Sequence, residues 1–244
     1  MKNFLVKVSI SFILLIFLSS SCVYAFSEES KIDNKSEENK IIYLTFDDGP
    51  SKNTNKVLDI LNKYDVKATF FLIGNQIEGE EDVVKRIQNE GHNIGLHTYT
   101  HDFKKIYSSN TAFINEMIEC QEEIYRVTNI KPNIIRFPGG SAKRLNKEFK
   151  KELDEKDFKV YDWNVDSQDG IKPKMSPNKI FNKATKNNVK KNEPIILLMH
   201  CDYMHNNTCK ALPSVIKFYK DKGYEFKTIN NKTPECYFPL KNNK

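Results

Sequence analysis

Two adjacent carboxylates are the first residues in this sequence that could do chemistry. Asp47 and Asp48 follow the apolar run Ile41–Phe46 and lead into Gly49-Pro50. Side chains of neighbouring residues in an extended chain diverge, so we expect the two acids to have different tasks. Taken alone, the segment also fits a solvated Asp-Asp-Gly turn.

Two histidines, His97 and His101, stand four residues apart. If their segment is helical or tightly turned, both imidazoles can converge on one cation. Two nitrogens and one carboxylate oxygen, with a position left for water, describe a catalytic zinc-type site, and other divalent metals accept the same donors. A histidine at a strand end is otherwise often structural, and this is the alternative for either residue alone.

Three further residues of chemical interest lie at the ends of apolar runs. Arg136 precedes Phe-Pro-Gly-Gly, where an arginine can pair with a carboxylate and lower its pKa, or simply lie on the surface beside a turn. Asp166 follows one apolar run, and His200 ends another. We expect Asp166 and His200 to pair, which would orient the imidazole and stabilise its protonated form. A lone histidine at the position of His200 would otherwise belong to the core or the rim.

Short apolar runs alternate with amphipathic stretches from residue 41 onward, which predicts βα units and a parallel sheet. Seven strand-like runs favour a parallel (β/α) barrel, distorted and complete or incomplete, over an open two-sided sheet. Five of the runs then deliver their polar residues to one rim, where such folds place active sites. The runs are Ile41–Phe46, Ala68–Ile73, Asn93–His97, Ile134–Phe137, Lys159–Val165, Ile195–His200 and Glu225–Ile229. The helical stretches are Thr54–Tyr64, Glu80–Glu90, Thr111–Val127, Asn146–Glu155, Pro177–Asn187 and Ala211–Lys222.

The N-terminus has the order of a secretory signal: basic residues, an apolar stretch, then small residues. We predict a signal peptide over residues 1–25, a polar linker over residues 26–40 and a single catalytic domain over residues 41–244. The protein would then act outside a bacterial cell or at its surface. An uncleaved anchor or a lipid on Cys22 are the alternatives. No stable membrane span is expected after cleavage, because the apolar stretch is shorter than the ~20 residues that a spanning helix needs.

Charge and cysteine content narrow the function classes. The formal charge of the chain is +6, and loss of Lys2 and Lys7 with the signal leaves 6 − 2 = +4. No basic run with interleaved aromatic residues stands out, so nucleic acid is not an expected partner. The mild positive charge suits an anionic cell wall and is equally ordinary for a lysine-rich surface. Four cysteines remain, none in a CxxC pattern, so a cysteine metal site is not expected and disulfide pairing stays open: Cys120, Cys201, Cys209 and Cys236.

Taken together, these motifs resemble those of the polysaccharide deacetylases of carbohydrate esterase family 4, the NodB-homology family. The resemblance runs from about Ile41 to Ile229, and five motifs occur in the order of the family. They are Thr-Phe-Asp-Asp-Gly at 45–49, His-Thr-x-x-His at 97–101, Arg-x-Pro-Gly at 136–139, the segment with Asp166, and Leu-x-His at 198–200. Each motif is weak alone, and the ordered set is specific.

The resemblance implies a distorted (β/α) barrel and a set of residue roles. Asp48, His97 and His101 would bind one divalent metal ion, zinc or alternatively cobalt. Asp47 would be the general base and His200 the general acid. The supporting residues would be Arg136, which holds Asp47, Asp166, which holds His200, the N–H of Gly139 at the oxyanion, and Leu198 in the acetyl pocket.

The sequence departs from the family pattern in two places. The family often carries a tryptophan four residues after the fourth-motif aspartate, where this chain has Gly170. The acetyl pocket is then open, or Trp163 or Tyr203 fills it. The third motif reads Arg-Phe-Pro-Gly-Gly instead of Arg-Pro-Pro-aromatic-Gly. Both departures bear on substrate preference and not on the metal site.

The expected activity is hydrolysis of the N-acetyl group of N-acetylglucosamine in peptidoglycan, with release of acetate, by a monomeric enzyme. N-acetylmuramic acid, chitin oligomers, exopolysaccharide and acetylated xylan are alternative substrates. A wall-binding protein that keeps the fold but lacks turnover is the alternative from another class. A zinc protease is disfavoured, because no glutamate lies between the two histidines. A dinucleotide-binding enzyme is also disfavoured, because no glycine-rich fingerprint follows the first predicted strand.

Overall fold

A computed structural model describes residues 40–172, 174–190 and 193–241 of the chain. The predicted signal peptide and all but the last residue of the predicted linker lie outside the described residues. The described part contains eight strands and seven α-helices. The strands are β1 (Ile41–Gly49), β2 (Thr69–Leu72), β3 (Asn93–Leu96), β4 (Ile134–Ile135), β5 (Lys159–Val160), β6 (Val165–Asp166), β7 (Ile195–His200) and β8 (Glu225–Lys227). The helices are α1 (Lys52–Lys63), α2 (Glu81–Asn89), α3 (Phe103–Ile106), α4 (Asn110–Thr128), α5 (Lys147–Glu155), α6 (Pro177–Thr185) and α7 (Asn206–Asp221).

The strands form one parallel sheet in the order β5-β4-β3-β2-β1-β7-β6, and β8 pairs with the start of β1. The described residues show no pairing between β5 and β6, so the curled sheet stays open on that side. The predicted α/β fold with a distorted parallel barrel is confirmed, in its incomplete form. Every strand end that was expected to carry a functional residue faces the same rim, because all the strands run in one direction.

The prediction of one strand over Lys159–Val165 is wrong, because this run forms two strands, β5 and β6. Between them the buried carboxylate of Asp162 accepts hydrogen bonds from the N–H groups of Ser141 (3.0 Å) and Phe238 (2.8 Å). This polar anchor draws the chain out of the ladder. The chain leaves its pairing with β4 and resumes beside β7, where the Asn164 N–H donates to the carbonyl of Ile196.

Side chains on the two faces of the sheet build two separate cores. Alternation along β1 sends Ile42, Leu44 and Phe46 towards the helices, into the large apolar core. Tyr43 points into the barrel, where a smaller apolar cluster lies below the rim. Its other members are Phe71, Ile134, Tyr161, Ile196 and Ile229. Asp47 has the same parity as Tyr43 in the strand, so the barrel interior is apolar at its base and polar at its rim.

The turn after β1 is anchored by the start of α1. The hydroxyl of Ser51 caps the helix in a reciprocal capping box with Thr54, which satisfies backbone N–H groups of the first turn. The same hydroxyl donates a 2.6 Å hydrogen bond to the carbonyl of Cys201. The segment with Asp47 and Asp48 is therefore fixed to the end of β7. The helix is held below by a buried apolar stripe of Val57, Leu58 and Leu61.

No helix among the described residues has both the length and the apolar character needed to cross a membrane. The four cysteines in the described part are free thiols, and three of them are buried.

A buried histidine away from the rim makes the fold sensitive to acid. The Nδ1 atom of His92 accepts a hydrogen bond from the Ala68 N–H, and its Nε2 atom lies 3.9 Å from a Glu90 oxygen with no hydrogen-bond partner. Burial, together with the charges of Lys67 and Arg86, lowers the pKa of His92 from 6.5 to about 4. The folded protein therefore resists protonation of His92, which the unfolded chain accepts below pH 6.5.

We predict that this histidine alone removes about 2 kcal/mol of folding stability between pH 7 and pH 5. Its stabilising contribution is complete above pH 6.5 and is lost as the pH falls towards 4. Asn can replace the Nδ1 acceptor without titrating, so the stability of His92→Asn should fall less over this range than that of the wild type. Urea unfolding at both pH values measures the difference. Parallel losses in the two proteins would contradict the assignment.

Candidate active site

The ends of four strands bring the predicted site residues together at the rim. Asp47 and Asp48 lie at the end of β1, and His97 follows β3 directly. Arg136 follows β4, and His200 ends β7, paired in register with Asp47. The predicted convergence on one rim is therefore present in the structure.

Asp48, His97 and His101 form a three-sided cluster of possible metal ligands. The Nε2 atoms of both histidines lie 3.4 Å from the same oxygen, Oδ1 of Asp48. That oxygen is buried and has no hydrogen-bond partner. Ligand atoms about 2.1 Å from a tetrahedral cation lie about 3.4 Å from one another, so the spacing fits a zinc-sized ion. An orphaned buried carboxylate oxygen between two imidazoles also has a physical reason to accept a cation.

The backbone selects the nitrogen that each histidine offers. The carbonyl of Arg136 lies 2.9 Å from Nδ1 of His97, so Nδ1 carries the proton and the Nε2 lone pair faces Asp48. Burial lowers the pKa of His97, which favours the neutral imidazole that metals require. The chain between the two histidines is a tight turn and not a helix, with positive φ angles at Thr98 (68°) and His101 (54°).

Glu116, which no sequence motif singled out, shapes this turn. The carboxylate of Glu116, on α4, accepts hydrogen bonds from the N–H groups of Tyr99 (3.0 Å) and Thr100 (2.7 Å). Its side chain is only 2% exposed and also pairs with Lys105 at 2.7 Å. A charged residue on the buried face of an amphipathic helix was the available signal.

Asp47 is held from below by the buried Arg136. One guanidinium nitrogen donates to Oδ1 of Asp47 at 2.9 Å and to the hydroxyl of Thr45 at 2.7 Å. The guanidinium also lies 4.2 Å from the ring centre of Phe71, which forms the floor beneath it. The second oxygen, Oδ2 of Asp47, remains on the side of the metal cluster, 3.7 Å from Nε2 of His97. Asp47 therefore has one oxygen fixed and one available for proton transfer.

The predicted partner of His200 is wrong: Asp169 contacts the imidazole, not Asp166. Nδ1 of His200 lies 2.8 Å from Oδ1 of Asp169. Asp166 instead accepts the N–H of Gln168 at 2.6 Å. Asp166 pairs with Leu198, two residues short of the histidine, and the following turn returns the chain so that Asp169 lies under the ring. The second aspartate of the Asp-x-x-Asp spacing was the signal available in the sequence.

Asp169 is built to hold a protonated imidazole. Besides the ring, it accepts hydrogen bonds from the His200 N–H (2.9 Å), the Thr208 hydroxyl (2.7 Å) and the Ser167 hydroxyl (2.8 Å). Burial alone would raise its pKa, but the charge and hydrogen bonds of His200 and the bond from Thr208 outweigh it and lower the pKa to about 2. Burial likewise opposes charge on His200, but Asp169 dominates and raises the pKa of His200 to about 10. The imidazole is thus a proton donor at neutral pH.

A second histidine stands behind this pair. The ring of His205 stacks on that of His200 with centroids 5.2 Å apart. Its Nδ1 lies 2.7 Å from Asp202, and its Nε2 lies 3.2 Å from the carbonyl of Asp169. Asp169, His200 and His205 also have the spacing of a metal cluster. The hydrogen bonds on Asp169 and on both nitrogens of His205 occupy the atoms that a cation would need, whereas Asp48 has an oxygen without a partner.

Of the residues predicted to shape the acetyl pocket, Leu198 and Gly170 lie beside His200. Leu198 is buried and has the same parity in β7 as His200, so it lies on the same side of the strand. A Cβ built on Gly170 would lie 2.4 Å from the imidazole, so no side chain fits there. Tyr203 is 79% exposed, and Trp163 packs edge-on against Phe238, with ring centroids 5.2 Å apart.

Gly139 has a backbone that suits the predicted oxyanion contact. Its φ of 70° lies in the left-handed region that glycine favours. Within the described part of the chain its N–H donates no hydrogen bond. The group is therefore available to a ligand.

The assembled groups can hydrolyse a bond that needs both water activation and a protonated leaving group. At the same rim as the metal-type cluster stand the carboxylate of Asp47, fixed by Arg136, and the imidazole of His200, which are suited to act as base and acid respectively. Esters and amides are the bonds for which such a pair is appropriate, and amides in particular need the acid.

Comparisons with known proteins agree with this chemistry. The family model described as polysaccharide deacetylase matches residues 34–161. A peptidoglycan-N-acetylglucosamine deacetylase of Bacillus cereus is 39% identical over 225 residues, which cover 88% of this chain and 80% of that protein. The crystal structure of the polysaccharide deacetylase Bc1974 from Bacillus cereus is 38% identical with a TM-score of 0.71, covering 83% of this chain and 96% of that one. The catalytic domain of a peptidoglycan N-acetylglucosamine deacetylase from Eubacterium rectale is 29% identical, with a TM-score of 0.74, covering 84% and 94%.

Substitutions in the two histidine-containing clusters should affect metal binding differently. We expect one divalent metal ion per chain, and zinc, used as the probe, should bind at least about a hundredfold more weakly to His101→Ala because a direct ligand is lost. His205→Gln belongs to the other cluster and should bind zinc as the wild type does. Competition titration with a chromophoric chelator measures both. If His205→Gln loses zinc and His101→Ala keeps it, the metal site is misplaced.

The partner of His200 is tested by a matched pair of substitutions. In metal-free Asp169→Asn, the pKa of His200 should fall from about 10 to near or below its usual 6.5, because burial remains and the adjacent charge is gone. In Asp166→Asn the pKa of His200 should stay strongly raised. Nuclear magnetic resonance titration of the imidazole gives both values. The reverse pattern would restore Asp166 as the partner.

Proposed function

The chain belongs to the polysaccharide deacetylase family, and from that premise we propose that it hydrolyses the N-acetyl group of N-acetylglucosamine in peptidoglycan. The products are acetate and a free amine on the glycan. One observation carries the proposal: a metal-type cluster stands at the same rim as a carboxylate fixed by a buried arginine and an imidazole held by a buried aspartate. The relatives named peptidoglycan-N-acetylglucosamine deacetylase support the choice of substrate.

Asp48, His97 and His101 would hold one divalent ion, and we propose zinc because the donor set and spacing suit it. When bound, the ion supplies Lewis-acid polarisation of the acetyl carbonyl and of the attacking water. Cobalt accepts the same donors.

Asp47 takes the proton from water at its free oxygen, Oδ2. Arg136 occupies Oδ1 and holds the carboxylate so that Oδ2 stays on the side of the metal cluster. Gly139 offers its N–H to the developing oxyanion, and loss of such a donor typically costs about 3 kcal/mol.

His200 supplies the proton that completes the reaction. Asp169 keeps Nδ1 engaged and the ring charged, so that Nε2 can donate a proton to the departing amine nitrogen. An amine leaves poorly without that proton, which is why an amide-cleaving site needs this second group. Asp169 is thus a positioning residue, and it takes the place first expected for Asp166.

The location of the reaction follows from the substrate. Peptidoglycan lies outside the cell membrane, so the proposed activity requires export, and the signal peptide predicted over residues 1–25 would provide it. A lipid or uncleaved anchor would keep the same domain at the surface.

The competing proposal is a wall-binding protein without turnover. Such a protein needs no charged imidazole, no orphaned metal-facing oxygen and no buried ion pair, each of which costs stability to maintain. The structure contains the orphaned oxygen and the buried ion pair, and Asp169 raises the pKa of His200, which together favour an enzyme.

The test is acetate release from purified peptidoglycan, with and without a chelator. We expect release that stops with the chelator and returns with zinc. Asp47→Asn should lower kcat/KM about a thousandfold and keep its zinc, because the proton acceptor is lost and the ligands remain. Asp82→Asn, at a fully exposed carboxylate, is the matched control and should match the wild type.

Two results would reject the proposal in different ways. Acetate release that is equal with and without chelator would exclude the metal mechanism. Zinc-loaded protein that binds peptidoglycan and releases no acetate from any glycan would favour the wall-binding alternative.

A further inference from the structure

An open cleft of about 1310 Å³ lies on the side of the site that carries His200 and Asp169, and it is lined by lysines. Four lysines line it, Lys172, Lys174, Lys179 and Lys183, and no acidic residue does. Met175 and Met204 add apolar surface. The cleft is therefore cationic and amphipathic.

Helix α6 supplies one wall of the cleft from a single face. Lys179, Asn182 and Lys183 recur at the three- and four-residue spacing that places side chains on one side of a helix. Ile180 and Ala184 point the other way, into the core. The two lysines of α6 are thus presented together and cannot be rotated away without unpacking the helix.

The four ammonium groups carry uncompensated charge. Each of these lysines is exposed, and none forms an ion pair with a carboxylate in the described part of the chain. Elsewhere, exposed basic residues such as Lys105, Arg126 and Lys131 do have acidic partners within 4 Å. Like charges on one wall repel, so an anion in the cleft would relieve the repulsion.

The cleft adjoins the pair formed by His200 and Asp169. Gln168 lines it and belongs to the turn that carries Asp169, and the Lys172 N–H donates to the Asp169 carbonyl at 3.1 Å. On the other side, Met204 precedes His205, whose ring stacks on that of His200. A glycan with its reacting sugar at His200 therefore passes close to this cleft.

We propose that the cleft binds the carboxylates of the peptide stems that peptidoglycan carries beside its acetylated sugars. The inference rests on the proposed function and adds a preference for stem-bearing glycan over neutral or stripped strands. Charge complementarity supports it, as does the position of the cleft beside the acid and not beside the metal ligands. The methionine side chains and the aliphatic portions of the lysine side chains offer apolar contact to the aliphatic parts of the peptide.

The experiment compares two forms of one glycan: peptidoglycan strands with peptide stems, and the same strands after an amidase has removed the stems. The readouts are kcat/KM for acetate release and direct binding by co-sedimentation. For the wild type, stem-bearing strands should be preferred in both, and the preference should shrink as salt rises from about 50 to 300 mM. For the triple variant Lys172→Gln, Lys179→Gln and Lys183→Gln, the ratio between the two substrates should fall roughly tenfold.

A control variant removes the same charge elsewhere. Lys147, Lys151 and Lys156, all exposed on or directly after α5, are replaced by Gln and should leave the substrate ratio unchanged. Thermal melting of both variants confirms folding. An unchanged ratio in the cleft variant, or an equal fall in the control, would overturn the inference.

Two further outcomes separate the possible sources of an effect. Binding that is lost when wall phosphate polymers are removed, and not when stems are removed, would also contradict the proposal. If no acetate is released from either glycan but binding still depends on stems and cleft lysines, the deacetylase proposal fails and the cleft assignment stands.

Discussion

The buried ion pair between Arg136 and Asp47 is the interaction on which the rest of the site depends. The guanidinium is fully buried in the barrel, so each of its N–H groups needs an acceptor. It donates to Asp47 and Thr45 on β1 and to the carbonyls of Tyr161 and Asp162 between β5 and β6. The same guanidinium therefore holds both the proposed general base, Asp47, and the chain between β5 and β6, where the sheet is open. Removal of one partner from such a pair typically costs about 3 to 5 kcal/mol.

This ion pair is also connected to the metal cluster and to β7. The backbone carbonyl of Arg136 sets the tautomer of His97, and the hydroxyl of Thr45 passes the interaction on to the carbonyl of Leu197 on β7. Strands β1, β4 and β7 thus share one polar network above an apolar barrel floor. A network of this kind specifies a single arrangement, because any shift of register would leave a buried charge without a partner.

The acid and the base differ because their surroundings differ. Asp47 faces a guanidinium, while His200 faces Asp169, a carboxylate that four other donors help to hold. Two groups that exchange protons with one substrate need different surroundings, and here a cation holds one group and an anion holds the other. Gly170 belongs to the same arrangement, since the imidazole occupies the space where any side chain would begin.

The sequence by itself determined the parallel fold, its strand order along the chain and most of the site. Short apolar runs alternating with amphipathic stretches predicted the strands, and the rule that parallel strands end at one rim predicted that Asp47, Asp48, His97, Arg136 and His200 would meet. Only the tertiary structure decided that Asp169 and not Asp166 supports His200, and that Asp162 divides one predicted strand into two. The direction of a side chain beyond a strand end depends on the turn that follows, and the left-handed residue Gln168 sets that turn here. The cleft likewise combines a loop, a helix and Met204 from a distant turn, and their proximity arises from packing that no local pattern of residues records.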